Sequence, residues 1–393
     1  MIKSISIKNF KSILEVSELK FGDVTFIVGK NGAGKSTLIN ALYLTMKLVA
    51  KEDLDDVINS TAPFGYEVFN QTSRQTHSHF EMIVKTEKAK SYKFSYSYAY
   101  NQSGMSFGIL DESLSRIEGA ESVLIYERKG DDISVFVSKT NSYDSLPLSV
   151  SSTELAIANY SDDEVKSVAE AITNCRVLWF DKATDSNDFK IHSREKLDSK
   201  TLDSMAVSLY LNDKKAFDKA VHVVGQLIPE FKAPEIRSIA PSNSDENSEK
   251  SKLNTRYVVF WKEKDVDSLQ YTLTGLSDGN FRIIQLIFSM FSSRNSTCLI
   301  GEEIENGQHF GRLKTLLEVI KVLSIKLNVQ LIFTTHSRDL LKTVSPSDVI
   351  YSWKDDKGNS QYAYLDEHVD MHGVEEDLGT APTAKDLLDL GLV

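Results

Sequence analysis

The alternation of apolar and polar residues predicts a strand, a loop and a helix near the start of the chain. Residues 1–7 alternate with the period of two typical of a strand, and Val24–Val28 form a second, mostly apolar strand. From Lys35 onward the apolar positions follow the spacing of one buried helical face: Leu38, Ile39, Leu42, Met46 and Val49. We therefore expect a strand that passes through a short loop into a helix beginning at Lys35.

Residues 80–138 have the pattern of antiparallel strands. Aromatic residues alternate with mostly polar ones at five positions: Tyr92, Phe94, Tyr96, Tyr98 and Tyr100. Such a row can stack on nucleic-acid bases, but one packed face of a sheet is the favoured interpretation. Ser122–Glu127 and Ile133–Val137 predict a hairpin.

Helical spacing returns in the middle of the chain. Residues 162–173 predict a helix with Ser161 as its cap, followed by a strand at Arg176–Phe180. Residues 196–228 are expected to be mostly helical. Residues 241–254 (PSNSDENSEKSKLN) are polar enough to predict a flexible surface segment.

The C-terminal third predicts the fold class. Strands are expected at Arg256–Trp261 and Leu269–Leu273, and helices then alternate with apolar strands, which is typical of a parallel sheet with helical crossovers. The expected fold is α/β, with a mixed and parallel sheet that carries the glycine-rich loop, an antiparallel β lobe and a mostly helical insertion.

Composition and charge narrow the possible functions. The 393 residues are 41% hydrophobic and contain no apolar run long enough for a transmembrane helix or a signal peptide. Cys175 and Cys298 lie in apolar runs, which favours buried thiols in a reducing cytoplasm, and no Cys/His spacing indicates zinc. The net charge of −11 argues against a protein devoted to coating nucleic acid, although a local basic patch remains compatible with it.

The loop between the predicted strand and helix matches the phosphate-binding pattern G-x-x-x-x-G-K-[ST]. It consists of Gly29, Lys30, Asn31, Gly32, Ala33, Gly34, Lys35 and Ser36, and Thr37 follows. Glycines let backbone N–H groups turn inward around phosphate oxygens, and the helix N-terminus adds a partial positive charge. Lys35 is expected to reach the β- and γ-phosphates and the Ser36 hydroxyl to bind Mg²⁺. A chance glycine-rich turn is the alternative, which the flanking strand and helix disfavour.

Two carboxylates follow a strongly apolar strand at residues 298–301. Ligand chemistry gathers at the carboxyl ends of parallel strands, so Glu302 is expected to hold Mg²⁺ through water. Glu303 is then expected to orient or deprotonate the attacking water. By themselves these residues fit an acidic loop equally well.

Two further stretches carry candidate phosphate contacts. Ser277, Asp278 and Gly279 stand at the start of an apolar helix, where Ser277 is the expected cap and the helix N-terminus can face an anion. Residues 330–335 form an apolar strand that ends at His336, which can contact a γ-phosphate. A plain helix cap and a structural histidine are the respective alternatives.

The order of these motifs resembles that of ABC-type ATPases. The strings ISIKNFKS, GKNGAGKST, LSDGN, EEIENGQH and FTTHS are similar to those of stand-alone ABC ATPases related to RecF, SMC and OLD proteins. Within this class the resemblance is closest to ATPases of bacterial anti-phage systems, such as the PtuA subunit of Septu. It covers the ATPase head at both ends of the chain.

The resemblance implies a composite site in a head-to-tail homodimer or higher homo-oligomer. ATP and Mg²⁺ bound at Lys35 and Ser36 of one protomer would meet the signature residues Ser277, Asp278 and Gly279 of the other. Glu303 and His336 would complete the water-activating site, and hydrolysis of ATP to ADP and phosphate would loosen the dimer. Slow, regulatory turnover is expected.

Several positions depart from the wider ABC pattern. Asp278 replaces the usual glycine of transporter signatures, and Glu302 stands where Asp is more common. No Gln follows the strand at 176–180, so Asp181 or Lys182 is expected to replace the Q-loop glutamine. Lys11 lies in a turn that resembles a nucleotide-approaching basic turn, although a solvated turn is an equal alternative.

The expected organisation has four consecutive segments. Residues 1–182 form the N-terminal lobe of the ATPase head, 183–254 the helical insertion with the polar segment, 255–365 the C-terminal lobe and 366–393 a tail that can dock a partner. The chain after His336 is too short for the TOPRIM nuclease domain of OLD proteins. The leading hypothesis is therefore a cytoplasmic, nucleotide-gated scaffold or sensor in anti-phage defence, with a separate nuclease or toxin as effector.

Three other functions are weighed against this hypothesis. A RecF-like DNA-repair ATPase would show salt-sensitive DNA binding that ATP stimulates. The net negative charge of the chain disfavours this function, so binding to nucleic acid is possible but not required. A transporter subunit would hold its signature closer to the phosphate loop, and no membrane partner is expected. Pro229 and Pro234, with no sustained heptads, exclude the long coiled coil of an SMC protein.

Overall fold

The computed structural model describes residues 1–61, 65–73, 75–101, 106–130, 132–137, 142–145, 150–160, 162–180, 189–190, 201–239, 256–263, 270–293, 297–368 and 383–389. The chain divides into two compact units that alternate in sequence. Unit 1 comprises Met1–Val177, Asn295–Ile300 and Asn328–Val393, and unit 2 comprises Leu178–Arg294 and Gly301–Leu327. The four consecutive segments expected from the sequence stay a prediction.

The strands are β1 (Ile2–Phe10), β2 (Ile13–Lys20), β3 (Val24–Gly29), β4 (His77–Lys85), β5 (Ser91–Asn101), β6 (Ser106–Glu118), β7 (Glu121–Lys129), β8 (Asp132–Val137), β9 (Ser142–Ser145), β10 (Arg176–Leu178), β11 (Phe189–Lys190), β12 (Phe231–Ile239), β13 (Arg256–Glu263), β14 (Gln270–Tyr271), β15 (Thr297–Glu302), β16 (Val329–Thr335), β17 (Val349–Lys354) and β18 (Ser360–Tyr364). The α-helices are α1 (Lys35–Val49), α2 (Leu54–Thr61), α3 (Asp163–Thr173), α4 (Leu202–Asn212), α5 (Lys214–Leu227), α6 (Asp278–Ser292), α7 (Phe310–Leu327), α8 (Arg338–Leu341), α9 (Leu365–His368) and α10 (Ala384–Asp389). Short 3₁₀ turns occupy Gly65–Val68, Ala156–Ala158, Leu273–Gly275 and Pro346–Asp348.

Unit 1 contains an eight-stranded antiparallel sheet, in the order β2-β1-β4-β5-β6-β7-β8-β9. It confirms the antiparallel region predicted at residues 80–138 and adds the two N-terminal strands to it. The hairpin predicted around residues 129–132 is the β7–β8 connection, where Lys129 pairs with Asp132.

The aromatic row of β5 forms a packed face of this sheet, as predicted. Tyr92, Phe94, Tyr96 and Tyr98 are all buried. The Tyr96 ring stacks on Phe80 with 5.1 Å between ring centroids, and its hydroxyl shares a hydrogen bond of 2.9 Å with Thr45 of α1. Because these rings are inside the core, they are not a surface for stacking bases.

The second sheet of the fold carries the phosphate loop, in the order β10-β15-β16-β3-β17-β18. β3 lies between β16 and β17 and is parallel to both, so that Val28 pairs with Thr335 and with Tyr351. β17 and β18 form an antiparallel hairpin, in which Lys354 pairs with Ser360. Since β3 and β16 are parallel and in register, the residues that follow them emerge at the same edge of the sheet.

A buried carboxylate ties a connecting segment of unit 1 to the antiparallel sheet. Glu112 accepts hydrogen bonds from the Tyr126 hydroxyl at 2.6 Å and from the backbone N–H groups of Ala156 and Ile157 at 2.5 and 2.8 Å. The buried Arg128 guanidinium donates to backbone carbonyls of the same segment. Burial raises the pKa of Glu112, and these donors oppose that rise.

Replacing Glu112 with Gln is expected to lower the free energy of unfolding by about 2–3 kcal/mol, because an amide offers one acceptor oxygen and turns its NH₂ group toward a backbone donor. Thermal and urea unfolding measure the loss. Glu121→Gln, at an exposed position of β7, is the matched control and should unfold like the parent protein. Equal unfolding midpoints for both variants would contradict this account of the carboxylate.

Unit 2 contains the predicted helices and two strands that were not expected from the sequence, β11 and β12. α4 and α5 confirm that residues 196–228 are mostly helical, although 196–200 lie outside the described residues. β12 follows and pairs with β13, with a register shift between Lys232 and Glu235 that contains Pro234. Proline has no N–H to donate, so it fits a strand only at such an irregularity or at an edge.

Two local predictions at residues 161–180 are corrected. Asp162 caps α3, instead of Ser161, because its carboxylate accepts hydrogen bonds from the N–H groups of Glu164 and Val165. A carboxylate at this position also interacts favourably with the helix dipole. The strand predicted at residues 176–180 ends at Leu178.

The two cysteines, Cys175 and Cys298, are free and buried, as expected from their apolar surroundings. Of the helices that the structure describes, none is both long and apolar enough to cross a membrane. The polar segment at 241–254 and most of the tail at 366–393 lie outside the described residues.

Candidate functional site

The phosphate loop of unit 1 joins β3 to α1 as predicted. Gly34 is the N-cap residue of α1 and has φ 117°, and Gly32 has φ 78°; both values lie in the left-handed region that favours glycine. Lys30, Asn31 and Gly32 form an exposed tip, and the first turn of α1 contains no acidic residue. The helix N-terminus therefore presents its partial positive charge to an anion without a competing carboxylate in that turn.

Lys35 extends back across this loop. Its side chain is buried, and Nζ donates hydrogen bonds to the carbonyls of Gly29 at 2.9 Å and Lys30 at 3.1 Å. Ser36 is exposed in the first turn of α1, whereas Thr37 shares a hydrogen bond of 3.1 Å with Ser12. The ammonium group of Lys35 is thus held at the centre of the loop. There it can replace a hydrogen bond to a loop carbonyl with one to a phosphate oxygen.

His336 lies next to the loop in the sheet order of unit 1. It follows β16, whose last residue, Thr335, pairs with Val28 at the end of β3. Its side chain is exposed, and Ser337 caps the short helix α8. The parallel register therefore places His336 and the loop at the same edge of the sheet, as the sequence predicts.

The signature residues lie at the N-terminus of α6 in unit 2. Ser277 caps the helix by accepting a hydrogen bond from the Asn280 N–H, which confirms the predicted cap, and Ser277 and Asp278 are exposed. Gly279 is buried: a Cβ there would lie 2.3 Å from the Gly307 carbonyl oxygen. Gln308 Nε2 also donates to the Gly279 carbonyl at 2.6 Å. These contacts therefore connect the start of α6 to the segment that follows Glu302 and Glu303.

Arg282 of α6 donates hydrogen bonds to the backbone of Glu302 and Glu303. Its Nη1 donates to the carbonyls of Glu302 at 3.2 Å and Glu303 at 3.0 Å, and its guanidinium lies over the Phe180 ring. Burial lowers the pKa of Arg282, an effect that Glu303 opposes. Glu303 has φ 52°, an uncommon conformation for a residue with a side chain, and its carboxylate accepts a hydrogen bond of 2.6 Å from Asn306. Backbone strain of this kind is concentrated at functional sites.

The loop geometry fits a nucleotide phosphate and a magnesium ion. The glycine-lined turn, the buried ammonium of Lys35 and the helix N-terminus supply the donors that a phosphate group needs. Within the described ranges, no group of three or more His, Cys, Asp or Glu residues is placed to hold a metal. The exposed Ser36 hydroxyl in the first turn of α1 is an oxygen donor, the kind of ligand that Mg²⁺ takes beside waters and phosphate oxygens.

Sequence reasoning missed the residues that hold the site in place. In unit 2, Arg282 and Gln308 act through hydrogen bonds to the backbone of Glu302, Glu303 and Gly279, and no local sequence motif predicts these contacts. A weak signal existed for Arg282, since it is a charged residue within the apolar run of α6. Asp181 and Lys182, the expected replacements for the Q-loop glutamine, lie outside the described residues.

Comparisons with known proteins agree with the fold described above. A family model described as "AAA domain, putative AbiEii toxin, Type IV TA system" matches residues 24–342. No curated protein matches significantly. The SMC head in complex with the C-winged helix domain of ScpA is similar over 93% of this chain and 98% of that chain, with 14% identity and a TM-score of 0.56. An SMC head with an extended coiled coil, bound to the C-terminal domain of ScpA from Pyrococcus furiosus, is similar over 96% and 99%, with 12% identity and a TM-score of 0.52. At these identities the similarity shows a shared fold and confirms the predicted fold class.

Proposed function

Since the chain belongs to the family described as an AAA domain (putative AbiEii toxin, type IV toxin–antitoxin system), we propose that it is a nucleotide-gated ATPase that binds ATP and Mg²⁺ at its phosphate loop. The AAA domain of the matching family and the fold shared with SMC heads both support this proposal. The observation that carries the proposal is the loop itself, where Lys35 Nζ lies within 3.1 Å of two loop carbonyls at the N-terminus of α1.

The proposed chemistry is hydrolysis of the γ-phosphate. Lys35 binds the β- and γ-phosphates, and the loop N–H groups surround their oxygens. Ser36 and Glu302 would hold Mg²⁺, which when bound would supply positive charge beside the phosphates. Glu303 accepts a proton from the attacking water, and His336 orients that water beside the γ-phosphate.

We further propose that each site is completed by a second copy of the chain. Ser277, Asp278 and Gly279 of one protomer would contact the nucleotide held by the other. Support comes from the exposed position of Ser277 and Asp278 at the start of a 15-residue helix, a place that favours anions. Bound ATP would favour the dimer only through contacts that ADP lacks.

Mixing two inactive variants tests this shared site. Lys35→Ala removes the phosphate lysine, and Ser277→Arg blocks the signature contact; each variant alone should have no ATPase activity. In an equal mixture, about one quarter to one half of the parental activity should return, because each mixed dimer contains one intact site of two; random pairing gives the lower value and exclusive formation of mixed dimers the higher. No recovery, with both variants folded and exchanging subunits, contradicts the shared site.

Arg282→Gln is expected to lower kcat about tenfold without changing the Kd for ATP, because about 1.4 kcal/mol of positioning at Glu303 is lost while the phosphate loop is untouched. Lys314→Gln makes the same charge change at an exposed position of α7 and serves as the matched control. Steady-state ATPase rates and nucleotide titrations measure both variants. A change in Kd with unchanged kcat would contradict the assigned role of Arg282.

The proposed cellular role is bacterial anti-phage defence with a separate effector, a nuclease or a toxin, as in the PtuA-like systems that the sequence resembles. The toxin–antitoxin wording of the family description supports a function together with another protein. Expression of the native operon and purification of this chain tests the role. We expect the product of a neighbouring gene to co-purify in fixed stoichiometry; recovery of this chain alone counts against an effector partner.

A further inference from the structure

The β17–β18 hairpin of unit 1 faces the phosphate loop with a set of hydroxyl groups. Ser352 of β17 pairs with Tyr362 of β18 in the antiparallel register, and Ser360 precedes Tyr362 by two residues. Side chains two residues apart on a strand share a face, so these hydroxyls lie on the same face of the hairpin. All three residues belong to unit 1, as does the loop.

Two of these hydroxyls donate hydrogen bonds to carbonyls of the loop. The Tyr362 hydroxyl donates to the Gly34 carbonyl at 2.7 Å, and the Ser352 hydroxyl donates to the Ala33 carbonyl at 3.1 Å. Burial raises the pKa of Tyr362, so the phenol keeps its proton and remains a donor. The contacts connect positions far apart in the chain, 328 residues for Tyr362 and Gly34.

The geometry of the peptide group gives these bonds a consequence for ligand binding. A trans peptide is planar, and its C=O and N–H point in opposite directions. The carbonyls of Ala33 and Gly34 belong to the same peptide groups as the N–H donors of Gly34 and Lys35. Because both carbonyls are held toward the hairpin, both N–H groups are turned away from it.

The hairpin also accounts for the two end glycines of the motif. A Cβ on Gly34 would lie 2.1 Å from Ser360 Oγ and 2.7 Å from the Tyr362 hydroxyl. On Gly29 it would lie 2.2 Å from the backbone carbonyl oxygen of Ser352. The loop is therefore enclosed on the hairpin side so tightly that these positions accept only glycine.

A third contact connects the hairpin to the first turn of α1. The Ser12 hydroxyl lies 2.8 Å from Ser360 Oγ and 3.1 Å from Thr37 Oγ1, and the Ser360 N–H donates to the Ser12 carbonyl at 2.7 Å. Hydroxyls from the β1–β2 turn, from α1 and from β18 thus form one hydrogen-bonded chain. This chain leaves the hairpin little freedom to move away from the loop.

We propose that Tyr362 and Ser352 are positioning residues for the phosphate loop, which fix two peptide groups so that the N–H donors of Gly34 and Lys35 face a bound phosphate. The inference rests on the proposed ATP-binding function and deepens it, since it assigns to the C-terminal hairpin a part in nucleotide affinity. Both residues would act through the loop backbone, to whose carbonyls they donate hydrogen bonds.

Tyr362→Phe and Ser352→Ala test the proposal, with Mg²⁺–ADP as the probe and titration calorimetry as the measurement. Each variant should raise the Kd for ADP about threefold to tenfold, the effect of one hydrogen bond. The Kd for ATP should rise by the same factor, and kcat at saturating ATP should be unchanged. Tyr364→Phe is the matched control. Tyr364 lies on the same strand and face as Tyr362, but its hydroxyl donates to the Lys20 carbonyl, away from the loop.

The outcomes separate this inference from the proposed function. If the parent protein does not bind ADP, the proposed function itself fails. If the parent protein binds ADP and both variants bind it equally well, the positioning role is overturned. It is also overturned if Tyr364→Phe loses as much affinity as Tyr362→Phe, because the effect would then reflect the stability of the hairpin alone.

Discussion

Replacing Lys35 with alanine is expected to abolish nucleotide binding and any ATP-dependent dimer. The ammonium is already held over the loop by the Gly29 and Lys30 carbonyls, so it reaches a bound phosphate without reorganising the backbone. The Kd for ATP should rise about a hundredfold or more, because each hydrogen bond from a charged group contributes about 1.5–3 kcal/mol. Fluorescence titration with a labelled nucleotide measures the loss of binding, and sedimentation velocity measures the loss of the dimer.

The matched control for this prediction is Lys47→Ala, which removes a lysine from the same helix. Lys47 forms an ion pair with Glu52 near the C-terminal end of α1. Surface ion pairs contribute about 0–1 kcal/mol to the stability of a protein. This variant should bind ATP like the parent protein. Tight ATP binding by a folded Lys35→Ala variant would contradict the assignment of the phosphate loop.

Replacing Glu303 with glutamine is expected to leave the Kd for ATP unchanged and to lower kcat about 10²–10⁴-fold, the usual contribution of a general base. Glutamine keeps the size of the side chain and an acceptor for Asn306, so the local backbone should persist. A protomer that cannot hydrolyse ATP should remain in its ATP-bound, dimeric state. Single-turnover kinetics measure hydrolysis, and sedimentation with ATP measures how long the dimer lasts.

Glu318→Gln provides the control for the lost charge. Glu318 is exposed on α7, in the same unit as Glu303, and its replacement should leave kcat and dimer lifetime unchanged. Hydrolysis at the parental rate by Glu303→Gln would show that another group accepts the proton from water. The proposed dimer would survive that result, because it depends on ATP binding and not on turnover.

Elements defined by local sequence could be predicted well. The strand–loop–helix around Lys35, the aromatic face of β5 and the Ser277 cap each depend on neighbouring residues, whose spacing is visible in the sequence. The parallel arrangement of β3 and β16 followed from the alternation of helices and apolar strands. Because parallel strands end at the same edge of a sheet, this arrangement also predicts that His336 lies beside the loop.

Features that depend on distant contacts could not be predicted. The hydrogen bond between Tyr362 and Gly34 joins residues that are 328 positions apart, and the one between Arg282 and Glu303 joins residues 21 positions apart. Neither contact produces a local pattern in the sequence. β12 escaped prediction because Pro234 opposes a strand unless the register is known to shift at that point. For α3, Ser161 and Asp162 are both capping residue types, and only the hydrogen bonds select Asp162.

The burial of both native cysteines makes the chain convenient for fluorescent labelling. Cys175 and Cys298 are the only two thiols of the chain, and each has less than one-tenth of its surface exposed, so maleimide dyes should react slowly with them. A single cysteine introduced at the exposed Lys314 would then take one dye per molecule. Energy transfer between separately labelled donor and acceptor pools can follow subunit association and exchange in real time, with the native thiols left in place.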